Sequence, residues 1–303
     1  MSSDITLYGR STVDPTEPDP VVDQALAVFT SVHEACTLVD PDSPLMQANA
    51  RPDQWHVVPL VLLAAVREAH RAYQRTGGRF DPRIVGDQMR LGYDGSPPFT
   101  DGGVANGSGG VARGPLPRWT PRFRYGRRLE LHLGGLPIGL GGIGKSLAVR
   151  WASEELQEHF EDFLLDAGGD CYCEGTGPEE DGWRVGVDDP FGGDLPLAVL
   201  AVTDKGCATS SVLSRNRPAG SSDARRLIDP TTGLPGGDGL MVVVVLDDDP
   251  TRAEVATKDL FLGGADEIES AARAQRMAAL WVTTEGDVGT SQLLESFVVW
   301  RAR

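Results

Sequence analysis

The chain has 303 residues, 40% of them hydrophobic and 24% charged, the balance of a soluble globular protein with enough material for a sizeable core. Its formal net charge of −16 excludes nucleic acid and anionic membrane surfaces as partners, because both select basic surface. No apolar run approaches the roughly 18 residues that span a bilayer, and the opening stretch MSSDITLYGR lacks the basic start and apolar centre of a secretion signal. No membrane anchor and a cytoplasmic location are therefore expected.

In chain order, a short strand is expected over Ile5–Tyr8, then a helix from about Val21 to Ala35 with Ala25, Phe29 and Val32 on one face. Cys36–Ala50 reads as a turn-rich loop. A second helix, about Pro59 to Arg75, stops at Gly77 and Gly78. The stretch at about 94–117 is rich in Gly and Pro without periodicity, and reads as a flexible loop. A strand over Leu129–Leu133, a glycine turn, a helix and a strand over Phe163–Leu165 follow. The last third alternates strands (Trp183–Val187, Leu197–Thr203, Cys207–Ser210, Met241–Leu246, Ala278–Thr284) with helices over Arg252–Leu262 and Asp266–Arg276. The continuous apolar run Met241–Leu246 predicts a strand buried on both faces. Four cysteines (Cys36, Cys171, Cys173, Cys207) are few and scattered, as reduced thiols are. Cys171 and Cys173 have no second pair to complete a metal site and read as two thiols on a strand. The histidines (His33, His56, His70, His132, His159) fall away from the motifs below and read as surface or interior residues.

The chemically informative stretch is GLGGIGKSLAVRWASEELQEHF, Gly139 to Phe160, followed by FLLDAGGD. A glycine turn feeding a helix N-terminus is an anion site, where free N–H groups meet the positive end of the helix dipole. Gly139–Ser146 fits the triphosphatase loop G-x-x-x-x-G-K-[ST]. Gly139, Gly141 and Gly144 also fit G-x-G-x-x-G, with Asp166 as a ribose-binding acid. Context weakens both. The residues before the turn, GLPI, carry a proline unsuited to a central parallel strand. Asp166 runs into a second glycine turn, and no regular βαβαβ pattern continues downstream. By themselves the residues say phosphate or pyrophosphate and leave the protein open.

A third reading draws on the whole chain. LGGIGK resembles the glycine-lysine turn of the ApbE family, the FAD:protein FMN transferases. CTLVDPDSPLMQANA resembles that family's early loop, and TGGRFDP its T-x-G-x-F-D-P segment. DAGGD resembles N-x-GGD, ATSS resembles ATSG, LIDPTTGLP resembles IIDP-x-TG-x-P, and AEVATKDLFLGG resembles a helix that carries metal ligands. The chain is similar to the family through these segments in this order, across about 220 residues.

The resemblance implies an α+β fold, a large mixed and mainly antiparallel sheet flanked by helices, over residues 1–303 as one domain. It implies transfer of FMN from FAD to a threonine hydroxyl of an acceptor protein, with AMP leaving and charge on phosphate oxygens needing neutralisation. A member that binds FAD but has lost catalysis is the alternative. By resemblance Ser43, Asn49, Gly141, Gly142, Lys145, Gly168, Gly169, Asp170, Thr209 and Ser210 would bind the flavin nucleotide, with Asp229, Lys258 and Arg226 catalytic. Several positions depart from the family pattern. Gly139 stands for an aspartate, Arg226 for a histidine, and Val39 for an aromatic that would stack on the flavin. Magnesium, which members use, would find Glu254 as a weak ligand, with Lys258 where the pattern has threonine. An ammonium one helical turn from Glu254 repels a divalent ion. Lys258 reads either as an i,i+4 partner of Glu254 or as a cation standing in for the metal.

Overall fold

The computed structural model describes residues 4–9, 19–91, 112–212 and 227–302. Arg226 and most of the expected flexible loop at 94–117 lie outside the described residues. In chain order, strand β1 (Thr6–Gly9) is followed by helices α1 (Pro20–Cys36) and α2 (Pro44–Ala50), strand β2 (His56–Val57), and helices α3 (Leu60–Arg75) and α4 (Val85–Arg90). Strands β3 (Arg122–Arg124) and β4 (Glu130–His132) precede helix α5 (Gly144–Gln157). Strands β5 (Phe163–Asp166), β6 (Cys171–Glu174), β7 (Trp183–Val187), β8 (Ala198–Val202) and β9 (Lys205–Ser211) come next. The chain ends with β10 (Ile228–Asp229), β11 (Leu234–Pro235), β12 (Leu240–Asp247), α6 (Pro250–Gly263), α7 (Ala265–Ala274), β13 (Ala278–Thr283), β14 (Val288–Thr290) and β15 (Val298–Arg301).

Two compact units emerge. One comprises Phe29–Gly144 and Ile228–Pro235; the other comprises Ser2–Val28, Lys145–Leu227 and Gly236–Arg303. The second unit is built on a seven-stranded sheet in the order β1-β5-β6-β9-β12-β13-β14, and every described pairing in it is antiparallel. An interior strand of it, β12, between β9 and β13, is the LMVVVVLD run, and both its faces are covered. Val243 and Val245 pack with Leu260, Phe261, Ile268 and Ala272 of α6 and α7. Val242, Val244 and Leu246 pack against Val187, Ala198, Leu200 and Val202 of the small sheet β15-β8-β7. An unbroken apolar run is what such double coverage demands.

Cys171 and Cys173 lie on β6 as expected, Cys171 opposite Cys207 of β9, and all four cysteines are free thiols. Among the described residues no helix is long and apolar enough to cross a membrane.

The first unit holds α2, α3, α4, the small sheet β2-β4-β3 and the hairpin β10-β11. Helix α2 corrects the expectation of a loop over Cys36–Ala50. Ser43 caps it by accepting from the Met46 N–H at 3.1 Å, and Pro44 occupies its first turn. The Asp, Ser and Pro that read as a turn are thus the start of a helix.

Candidate active site

The site in the second unit begins at the head of α5. Lys145, in the first turn of that helix, reaches Asp170 at the end of the second glycine turn, Nζ to Oδ2 2.5 Å. Gly168 and Gly169 make that turn, with φ of 71° and 99°, a region glycine enters without steric cost. Their N–H groups are not bare, however. Gly169 donates to Asp166 Oδ1 at 2.9 Å and Gly168 to Asp166 Oδ2 at 3.3 Å. Asp166 therefore holds the turn in shape, and what the turn offers the site is the Asp170 carboxyl. Asp170 Oδ1 accepts from the Thr209 N–H at 3.3 Å.

Helix α6 supplies the facing wall. Asp249 caps it, accepting from Thr251 and Arg252 N–H groups, and Pro250 follows at the first helical position. Asp249 also receives Arg150 of α5 at 3.2 Å, which ties the two helices together. Gly206 lets β9 approach the start of α6, since a Cβ there would stand 2.5 Å from Pro250 Cα. Glu254, Thr257 and Lys258 share one face of α6 at i, i+3 and i+4. Lys258 Nζ is ion-paired with Glu254 Oε1. Thr257 donates to the Glu254 carbonyl at 2.8 Å and meets Ser210 Oγ at 2.7 Å. Successive strand residues point to opposite faces. Of Thr209 and Ser210, only Ser210 thus turns its hydroxyl to α6, and Thr209 contributes its N–H.

Two carboxyls and two ammonium groups meet here. Burial drives Asp170 well above the ordinary carboxylate range, and the Glu254 charge and hydrogen bond push the same way against the pull of Lys145. Burial would raise Glu254 as well. The Lys258 charge, the Asp170 hydrogen bond and the Lys145 charge outweigh it and hold Glu254 below its ordinary value. The two carboxyls thus shift in opposite directions. The carboxyls lie beneath and the lysines above. Side-chain exposure is 2% for Asp170 and 8% for Glu254, against 24% for Lys145 and 13% for Lys258. A ligand arriving from solvent meets positive charge, beside the positive end of the α5 dipole.

The sequence profile of the ApbE family matches residues 1–281. The chain belongs to the ApbE family. Similar relatives include the FAD:protein FMN transferase of Escherichia coli (strain K12), 28% identical over 163 residues, which are 52% of this chain and 46% of that protein. Another is the FAD:protein FMN transferase of Rhodobacter capsulatus, 26% identical over 220 residues, 71% of this chain and 41% of that protein. The matches thus span less than half the length of those two relatives. Among solved structures, a mutant of the flavin transferase ApbE from Vibrio cholerae superposes with a TM-score of 0.75 at 21% identity, covering 98% of this chain and 96% of that one. The ApbE protein from Thermotoga maritima gives a TM-score of 0.74 at 20% identity, covering 94% and 93%. These likenesses establish the ApbE fold, including the large antiparallel sheet flanked by helices.

The magnesium that the family resemblance implies does not fit the residues of this ApbE-family chain. A hard divalent cation seeks about six oxygen ligands. Among the described residues no group of three or more acidic, His or Cys side chains is arranged to hold one. Each of the two carboxyls in reach already bears an ammonium. An ammonium beside each carboxyl offsets the attraction that the carboxyl alone would exert on a dication.

In the first unit, the expected site residues have local structural work. Asn49 clasps the Ile138 backbone from both sides, Nδ2 to O at 2.8 Å and N to Oδ1 at 2.9 Å. Ser43, besides capping α2, donates to the Thr37 carbonyl at 2.8 Å. Asp229 accepts from the Thr231 N–H at 2.8 Å and the Thr232 hydroxyl at 3.3 Å, the Asp-Pro turn pattern. Gly139, Gly141 and Gly144 do not have positive φ. Gly139 packs against Leu38 and Val85, whereas a Cβ at Gly141 or Gly144 would meet nothing within 4 Å. Thr257 is the residue the sequence reading missed. Its one signal is the i+3 spacing from Glu254, and its link to Ser210 depends on how β9 and α6 pack.

Proposed function

We propose that this chain is an FAD:protein FMN transferase. The phosphoanhydride bond of FAD breaks, AMP leaves, and the FMN phosphorus bonds to the oxygen of a threonine hydroxyl on an acceptor protein, which gives up its proton. The observation that carries the reading is the lysine pair, Lys145 in the first turn of α5 and Lys258 midway along α6, each paired with a buried carboxyl. Fixed ammonium groups, one of them at a helix N-terminus, neutralise the charge that spreads over phosphate oxygens as the bond breaks. Ser210 adds a buried hydroxyl on the α6 side, and Asp170 fixes Lys145. Gly141 and Gly142 enter as backbone donors, and Asp229 and Arg226 as the acid–base and charge-clamping groups, by resemblance alone. The cytoplasm is the proposed compartment, by composition alone.

A second reading, an FAD-binding member without transfer activity, is favoured by one observation: Asp229 already uses both carboxylate oxygens within its own turn. Incubating the protein with FAD and a peptide carrying an acceptor threonine separates the two. AMP release together with a peptide heavier by FMN supports transfer, FAD retained intact supports binding alone, and no affinity for FAD removes both.

A further inference from the structure

At the α5–α6 face each of the two buried carboxyls bears an ammonium group. Resting on the flavin reading above, we propose that Lys258 and Lys145 hold the FAD diphosphate directly, so that FAD binding and FMN transfer proceed without a divalent cation.

Three observations lead there. Both carboxyls that could ligate a metal are the inner members of ion pairs, and the ammonium groups are the outer, more exposed members. A cation entering from solvent is repelled before it reaches an oxygen, whereas a diphosphate is attracted. The hydroxyls nearby are also committed, Ser210 to Thr257 and Thr257 to the Glu254 carbonyl, so they do not extend the donor set. Finally, the elements that carry the lysines are fixed relative to each other by the Arg150–Asp249 tie and the Asp249 cap. The two charges are therefore held in place before the ligand arrives, as electrostatic stabilisation of a developing charge requires. A fixed ammonium supplies positive charge but no Lewis-acid coordination, so the reaction would rest on positioning and charge alone.

The test uses the full chain stripped with EDTA. FAD affinity is measured by flavin fluorescence in EDTA and again in millimolar Mg²⁺, and Mn²⁺ binding is followed separately by electron paramagnetic resonance. The expected result is the same FAD affinity in both buffers within twofold, with no stoichiometric Mn²⁺ site. Lys258→Met is expected to weaken FAD at least tenfold in EDTA, and Lys258→Arg to recover most of that loss. An FAD affinity that collapses in EDTA, a stoichiometric Mn²⁺ site in the wild-type chain, or unchanged FAD affinity in Lys258→Met overturns the proposal. Should Lys258→Met fail to fold, the wild-type titrations still decide. No FAD binding in either buffer removes the flavin reading itself, and the Mn²⁺ titration judges the cation-free centre independently of it.

Discussion

Two buried ion-pair centres, one in each unit, look alike in composition and differ in how completely they are satisfied. In the first unit Asp81 and Arg83 have side chains 3% and 2% exposed. Asp81 Oδ1 accepts from Arg83 N and Nε, both at 2.9 Å, Oδ2 accepts from Nη2 at 2.6 Å, and Nη1 donates to the Pro117 carbonyl at 2.7 Å. Both carboxylate oxygens and all three guanidinium nitrogens are engaged, and neither side chain reaches solvent appreciably. That centre joins the RFDP segment to the chain at Pro117 and is structural. In the second unit the Lys145–Asp170 and Glu254–Lys258 pairs hold two buried carboxyls and present their more exposed ammonium groups outward. The first centre is closed to solvent on both partners, whereas in the second the cations are the more exposed members.

The comparison breaks first at Arg83. Replacing it by Met strands a buried Asp81 without its partner, and stranding a buried charge costs about 3–5 kcal/mol. Urea unfolding of Arg83→Met should show a loss of that size. A loss below about 1 kcal/mol would mean that the pair is not the anchor its hydrogen bonds imply.

The converse holds for Lys258. In Lys258→Met, Glu254 keeps Asp170 and Lys145 as neighbours and can take up a proton, so the stability loss should be smaller than for Arg83→Met. AMP release from FAD should nevertheless fall at least a hundredfold, about 2.7 kcal/mol of lost transition-state stabilisation. If Lys258→Met costs as much stability as Arg83→Met and leaves turnover intact, the assignment of structural and functional centres is reversed.

Thr257→Val sharpens the boundary between the two kinds of role. The change keeps the shape and removes the hydroxyl that Ser210 meets at 2.7 Å in a buried setting. Leaving one buried hydroxyl without its partner costs about 1–3 kcal/mol. The loss should appear in urea unfolding, and the FAD affinity should fall with it if Ser210 is held in place for the ligand. A stability loss with unchanged affinity would make Thr257 part of the scaffold only.

Much of this was legible in the sequence where a pattern is local. The run Met241–Leu246 announced a doubly covered strand, and the Glu254–Lys258 spacing announced an ion pair on one helix face. The residues Ser43 and Pro44 mislead because the chemistry of a turn and of a helix N-cap is the same: a short oxygen-bearing side chain followed by a fixed φ. Asp166 misleads for a similar reason, since a carboxylate before Gly-Gly can bind a ribose or the amides two and three residues on, and here it binds the amides. That Asp170 joins Glu254 was invisible, because it depends on the strand order β5-β6-β9-β12, which brings the turn after β5 toward the helix after β12. Charge pairs within one turn of helix can be read; charge pairs made by sheet order have to be seen.

The third lysine offers the mildest test, as a control for the other two. Lys205 Nζ lies 2.5 Å from Asp248 Oδ1, but the side chains are 29% and 73% exposed, so solvent screens the pair. The hydrogen bond and charge of Lys205 hold the Asp248 carboxyl below its ordinary value. A depressed folded-state value means that the pair stabilises the protein above the unfolded-state pKa, near 3.9 for aspartate, and that this stabilisation is lost as pH falls through the folded-state value. Exposed pairs of this kind contribute about 0.2–1 kcal/mol. Lys205→Ala should therefore cost about 0.3 kcal/mol at pH 7, less in 1 M NaCl, and nothing measurable once Asp248 is protonated. FAD binding should not change. A loss of FAD affinity in Lys205→Ala as large as that in Lys258→Met would show that any lysine attracts the ligand by bulk charge, and the distinction between a built centre and a charged surface would no longer hold.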